Sequence, residues 1–81
     1  MEPAVAFGRV LRQLRLDAGL TQEALGFEAD LRRTYVSILE LGQQQPTLTT
    51  ILKLAKAMNR SAQEIMGLVE AELHRVGRRR R

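Results

Sequence analysis

Apolar residues return every three or four positions along most of the 81-residue chain, the period of helices that each bury one face. Phe7, Leu11, Leu14 and Ala18, with Val10 beside them, predict a first amphipathic helix over residues 4–17, which Gly19 stops. Thr21 suits the start of a second helix over 21–29, its hydroxyl accepting from the free N–H of Glu23 or Ala24, with Leu25 and Ala29 as the buried edge. A third helix over 32–41 buries Val36 and Leu39, so Arg33, Thr34, Ser37, Ile38 and Leu41 fall on its opposite side. Gly42 and Pro46 bracket a polar loop. Thr47 then opens a fourth helix over 48–58, whose Leu48, Ile51, Leu52, Ala55 and Met58 are expected to face inward, and Asn59 suits the left-handed residue that ends it. Ser61 with Glu64 reads as a capping box for a fifth helix over 62–76, striped by Ile65, Val69, Leu73 and Val76. Ile65 and Met66 are assigned to the core. There is no strand pattern, so the expected fold is all-α: one five-helix domain over residues 1–76, then Gly77 and Arg78–Arg81 as a basic, flexible tail over 77–81.

Only Asp30 and Leu31 separate the second helical pattern from the third. That leaves room for one tight turn. A turn so short makes the helices cross steeply, so that one can rest on a DNA backbone while the other enters the major groove.

Composition sharpens this picture mainly by exclusion. A chain of this size makes one domain and buries roughly 60% of its unfolded surface. Without cysteine it has no disulfide, thiol nucleophile or thiolate metal site, which fits a reducing cytoplasm. No leader pattern opens the sequence and no apolar run approaches the ~20 residues of a membrane span, so a cytoplasmic, nucleoid-associated protein in a prokaryotic or phage setting is expected. The formal charge of +4 equals that of Arg78–Arg81 alone, which leaves the rest of the chain neutral. Bulk charge therefore says little, and the positions of Arg9, Arg12, Arg15, Arg32 and Arg33 matter more. The lone His74 lacks companions for a metal site, no glycine-rich phosphate loop or nucleophile–base pairing is present, and no cofactor or enzymatic role is expected. With Phe7, Phe27 and Tyr35 as the sole aromatic residues, a stacking platform for single-stranded nucleic acid is missing too.

From Phe7 to Met66 the order of residues resembles the Xre-type, phage-repressor-like helix-turn-helix family. The carriers are LRQLRLDAGLTQEAL, then YVSILELG, then Pro46 with Leu48, then ILKLAKAM. The resemblance implies a compact five-helix domain that sets its third helix in the major groove of double-stranded DNA. Gln22, first in the second helix, matches the family glutamine that hydrogen-bonds a phosphate, where free N–H groups already favour an anion. Arg33, Thr34 and Ser37 match base-reading positions, Arg33 with the fork geometry for guanine O6 and N7, and Arg32 lies beside the backbone. Tyr35 is half core with a hydroxyl for a phosphate. Arg15 and Glu40 match a buried ion pair joining the first helix to the third.

Departures from the family pattern are also informative. Arg32 stands where a serine or threonine cap is common, and Gln43, Gln44 and Gln45 fill a loop that is often basic. Glutamine can bond phosphate but releases no counterion, which weakens the salt dependence of binding. Ile38 and Leu41 are apolar where polar residues are usual, suited to thymine methyl groups or to a protein contact. One short helix reads few base pairs, so a homodimer on a near-palindromic operator is expected, with Leu73, Val76 and Leu41 at the dimer contact. The leading reading is a sequence-specific regulator of transcription, a repressor in preference to an activator. The alternative is a protein-interaction adaptor of the same fold, such as an antitoxin or anti-repressor, with Ile38, Leu41, Leu73 and Val76 as its apolar surface.

Overall fold

A computed structural model describes the backbone of residues 1–79 and the side chains of residues 1–76. Five helices follow one another: α1 (Pro3–Asp17), α2 (Gln22–Ala29), α3 (Arg33–Glu40), α4 (Leu48–Ala57) and α5 (Ala62–Arg79). Local chemistry sets most of the ends. The Thr21 hydroxyl accepts from the Ala24 N–H at 3.0 Å, and the Thr47 hydroxyl from the Thr50 N–H at 3.1 Å. Ser61 and Glu64 form the reciprocal box, with the Glu64 N–H donating to Ser61 Oγ at 3.0 Å and the Ser61 N–H to Glu64 Oε1 at 3.4 Å. Asp30 and Asn59 close α2 and α4 in the left-handed region, at φ 57° and 55°. In the α2–α3 turn the Leu31 N–H donates to the Gly26 carbonyl at 2.8 Å, which closes the link in the fewest residues.

The last helix departs from expectation. α5 runs through Gly77 to Arg79, three residues beyond the expected end at residue 76, so the backbone of 77–79 is helical rather than a frayed tail. A single glycine costs a helix only about 1 kcal/mol relative to alanine, and arginine is a good helix former. Arg80 and Arg81 lie outside the described residues.

α1 is the central element, packed on α3 along one side and on α5 along another, while α2 packs on α3 and α4. Phe7, Leu11 and Leu14 of α1 meet Leu25, Val36, Leu39, Leu54, Ile65 and Val69 in one continuous core. Several residues expected inside are not. Leu48 and Leu52 are 73% and 53% exposed, because the buried line of α4 passes through Thr50, Leu54 and Met58 and leaves those two on its flank. Met66 lies on the corresponding flank of α5 and is exposed, and Ala18 falls just past the end of α1, in solvent. Leu73, expected at a partner, is half-buried against the monomer's own core.

Gly8 sets how closely α1 approaches α3. A Cβ there would stand 2.6 Å from the Glu40 carbonyl oxygen and closer still to that of Leu39. Gly8→Ala is therefore expected to destabilise the protein by about 1–3 kcal/mol, the range for overpacking. Helix propensity alone predicts a gain of about 0.5–1 kcal/mol. A higher urea midpoint for the variant would show that the two backbones can separate without penalty.

On the side of α1 that faces α5, Glu72 of α5 accepts from Arg75 Nε at 3.1 Å and Nη2 at 2.9 Å, and from Arg9 Nη1 of α1 at 3.4 Å. The hydrogen bond from Arg75 holds the Glu72 carboxyl below its ordinary range; burial opposes it, and the Arg75 charge with the hydrogen bond and charge of Arg9 adds to the lowering. Its contribution to stability is thus present above the unfolded value and lost as the pH falls through the lowered folded value. Carbon-detected NMR titration should place its midpoint below the ~4.3 of a free glutamate. A midpoint at or above that value would mean that the α1–α5 strap does not persist in solution.

Candidate nucleic-acid interface

The turn at Asp30–Leu31 delivers α3 with two unlike sides. Val36 and Leu39 have no exposed surface and fix the helix to the core. Arg33 and Thr34 are exposed, Ser37 and Ile38 are half-buried on the outer side, and Arg32 is exposed just ahead of the first turn. The first turn carries no side-chain cap, since Arg32 occupies the capping position without a bond to the backbone. Its free N–H groups are thereby left for another acceptor, and a DNA phosphate is the natural one. Tyr35 is half-buried and packs against the core.

A buried network holds this helix in place. Arg15 Nε donates to Glu40 Oε2 at 2.6 Å and Nη2 to Glu40 Oε1 at 3.1 Å, a bidentate pair whose side chains are only 10% and 3% exposed. Arg15 Nη1 donates to the Leu20 carbonyl at 2.8 Å, tying in the segment between α1 and α2. Gln22 joins as well, its Nε2 donating to Glu40 Oε1 at 3.1 Å. One carboxylate therefore serves α1, α2 and α3 together. Among the described residues, no buried side-chain nitrogen or oxygen is left without a partner.

The family resemblance implied the Arg15–Glu40 pair, but not the Gln22 bond or the Leu20 carbonyl. Both join positions far apart along the chain or use backbone, and neither leaves a mark in residue type. Gln22 and Arg33 come together around an open cleft of about 490 Å3, along with Arg15, Thr21 and Glu23. The amide of Gln22 uses one N–H on Glu40, and its second N–H stays available to a phosphate. Gln43, Gln44 and Gln45 are exposed in the loop after α3, and Leu41 is exposed at its start. Val76 is half-buried on α5 with Leu73, on a different element from the exposed side chains of α3. Phe27 is 84% exposed on α2, beside a hollow lined by Gly26, Asp30, Leu31 and Arg32. Its position two residues from both Leu25 and Ala29 is the signal for an outward side chain.

No group of three or more histidine, cysteine or acidic side chains among the described residues is placed to hold a metal ion. Among the same residues, no helix is long and apolar enough to cross a membrane.

The helix-turn-helix family model matches residues 11–65. Control protein C.BamHI of Bacillus amyloliquefaciens is 39% identical over 61 residues, which cover 74% of this chain and 75% of that protein. Control protein C.MunI of Mycoplasma sp is 30% identical over 69 residues, covering 84% of this chain and 93% of its own. The crystal structure of the restriction-modification controller protein C.AhdI from Aeromonas hydrophila superposes with a TM-score of 0.75 at 45% identity, covering 76% of this chain and 94% of that one. The exposed outer side of α3, the network that pins it and these likenesses agree. The chain belongs to the Xre-type, phage-repressor-like helix-turn-helix family and is a DNA-binding regulator of transcription.

Proposed function

We propose that the protein binds a near-palindromic operator as a homodimer and represses transcription there, each copy setting α3 in one major groove. The observation that carries this reading is the exposed Arg33 and Thr34 on a helix pinned by Val36, Leu39 and the shared Glu40 carboxylate. Arg33, Thr34, Ser37 and Ile38 meet base edges. Gln22, Arg32, Tyr35 and the Gln43–Gln45 loop meet phosphates and set the register. Two copies related by a two-fold axis place their reading helices in half-sites about 34–36 Å apart.

The second copy covers apolar surface on α4 and α5. Leu73 and Val76 supply its half-buried part, and Leu48, Leu52 and Met66 add a larger exposed part. Leu41, at the end of α3, lies at the edge of that surface or on the DNA. C.BamHI and C.MunI are control proteins and C.AhdI controls a restriction–modification system, which supports promoter control in a prokaryotic cytoplasm, with restriction–modification genes as the regulated class. The regulator works without a cofactor and without catalysis.

Selection of bound sequences from random duplexes tests the core of the proposal, and enrichment of an inverted repeat is the expected outcome. A pool that stays random after several rounds would favour the adaptor reading. Light scattering should give twice the 9.2 kDa chain mass, falling to one chain for Leu52→Glu. If that variant remains a dimer, the contact lies elsewhere, with Leu41 the next position to change.

A further inference from the structure

A groove of about 540 Å3 runs between α1 and α5, within the ~300–1,000 Å3 range of small-ligand sites. Val10 and Leu14 of α1 and Leu68 and Ala71 of α5 give it an apolar floor. Arg9, Arg60 and Arg75 stand around it. We propose that this groove is a binding site for a small amphipathic monoanion, an aromatic or branched carboxylate whose apolar body rests on Leu14 and Leu68 and whose charge meets the arginines.

Three features support that ligand class. First, the floor offers dispersion contact and desolvation to an apolar body, and Leu68 is still 42% exposed, so it gains from being covered. Second, the guanidiniums are under-used: Arg9 donates one bond to Glu72, Arg60 one to Glu64, and Arg75 two to Glu72. Each keeps at least three of its five N–H donors unengaged among the described residues. Third, the lining charge is small. Three arginines face the carboxylates of Glu72 and Asp17 and the Glu64 carboxylate that pairs with Arg60, so the charges balance, which disfavours a polyanion such as nucleic acid and leaves a single carboxylate to be held by the unengaged N–H donors. Asp17 is already satisfied by Gln13 Nε2 at 2.9 Å. Glu72, 17% exposed and held by two arginines, is the chain's own carboxylate at the place where the ligand's would bind.

The groove is separate from the reading surface. Leu14 lines it, whereas its neighbour Arg15 turns to Glu40 on α3. Ligand and DNA therefore do not compete for the same atoms.

Amide NMR titration of the full chain with phenylacetate tests the site, with benzyl alcohol and acetate as the apolar and charged halves. Saturable shifts at Arg9, Leu14, Leu68 and Ala71 are expected, at least ten-fold tighter for phenylacetate than for either half. Glu72→Gln should tighten binding about three-fold by removing the competing carboxylate. Leu68→Glu, at a position exposed enough to fold, should abolish saturation while leaving the spectrum otherwise native. Shifts that never saturate, equal affinity for benzyl alcohol, or binding unchanged in Leu68→Glu would each overturn the proposal. So would movement of the same amides on diluting the protein without ligand, which would place a second copy in the groove.

Discussion

Glu40→Ala is expected to destabilise the protein by about 3–5 kcal/mol, the penalty for leaving one member of a buried ion pair alone. Arg15, with its side chain only 10% exposed, would keep its charge in a site that water reaches poorly. The Leu20 carbonyl would be its one remaining partner in this network, and Gln22 would lose its acceptor as well. A domain of this size has only about 4–12 kcal/mol of stability in all, so the variant should be partly unfolded at 37 °C. By contrast, the Lys53–Asp30 pair, 4.0 Å apart at the surface, should contribute no more than about 1 kcal/mol. Urea denaturation of Glu40→Ala, Arg15→Met and the double variant Arg15→Met/Glu40→Leu separates burial of charge from attraction. The double variant should recover much of the loss, since two apolar side chains of similar volume need no partner. A loss below about 1 kcal/mol for Glu40→Ala would mean that the pair is solvated, contrary to its burial.

Arg33→Ala is expected to cost about 1–3 kcal/mol of discrimination at one base pair of each half-site, roughly five- to 150-fold in preference, with the fold intact. The side chain is exposed and makes no hydrogen bond within the domain among the described residues, so its removal does not disturb the core. Competition gel shifts between the selected operator and duplexes substituted at single positions provide the readout. Arg32→Ala supplies the contrast. It should weaken all duplexes alike and lower the slope of log affinity against log salt by about one, as loss of a phosphate contact does. If Arg33→Ala behaves like Arg32→Ala, then Arg33 positions the protein and another residue reads that base.

Residue order foretold the features that depend on near neighbours. Thr21, Thr47 and the Ser61–Glu64 box cap their helices because each contact spans three residues and follows from side-chain type. Asn59 ends α4 for a similarly local reason. Leu48, Leu52 and Met66 were misplaced because a helical stripe has edges, and periodicity does not say which edge a neighbouring helix covers. Five short helices offer too little core to bury every apolar flank. The share of Gln22 in the Glu40 carboxylate was out of reach because the resemblance assigned Gln22 to a phosphate alone, and a contact between residues 18 positions apart leaves no mark in local pattern. The close approach at Gly8 is another product of tertiary packing, invisible until α1 and α3 are side by side.

The division of labour along α3 bears on how such a protein changes its target. Within eight residues, Val36, Leu39 and Glu40 hold the helix, while Arg33, Thr34 and Ser37 make no side-chain hydrogen bond to the rest of the domain among the described residues. On the proposed reading, mutation can therefore explore new operators at the second set while the first keeps the protein folded. Specificity behaves as an exchangeable cassette, and a lineage can drift to a new site without passing through an unfolded ancestor.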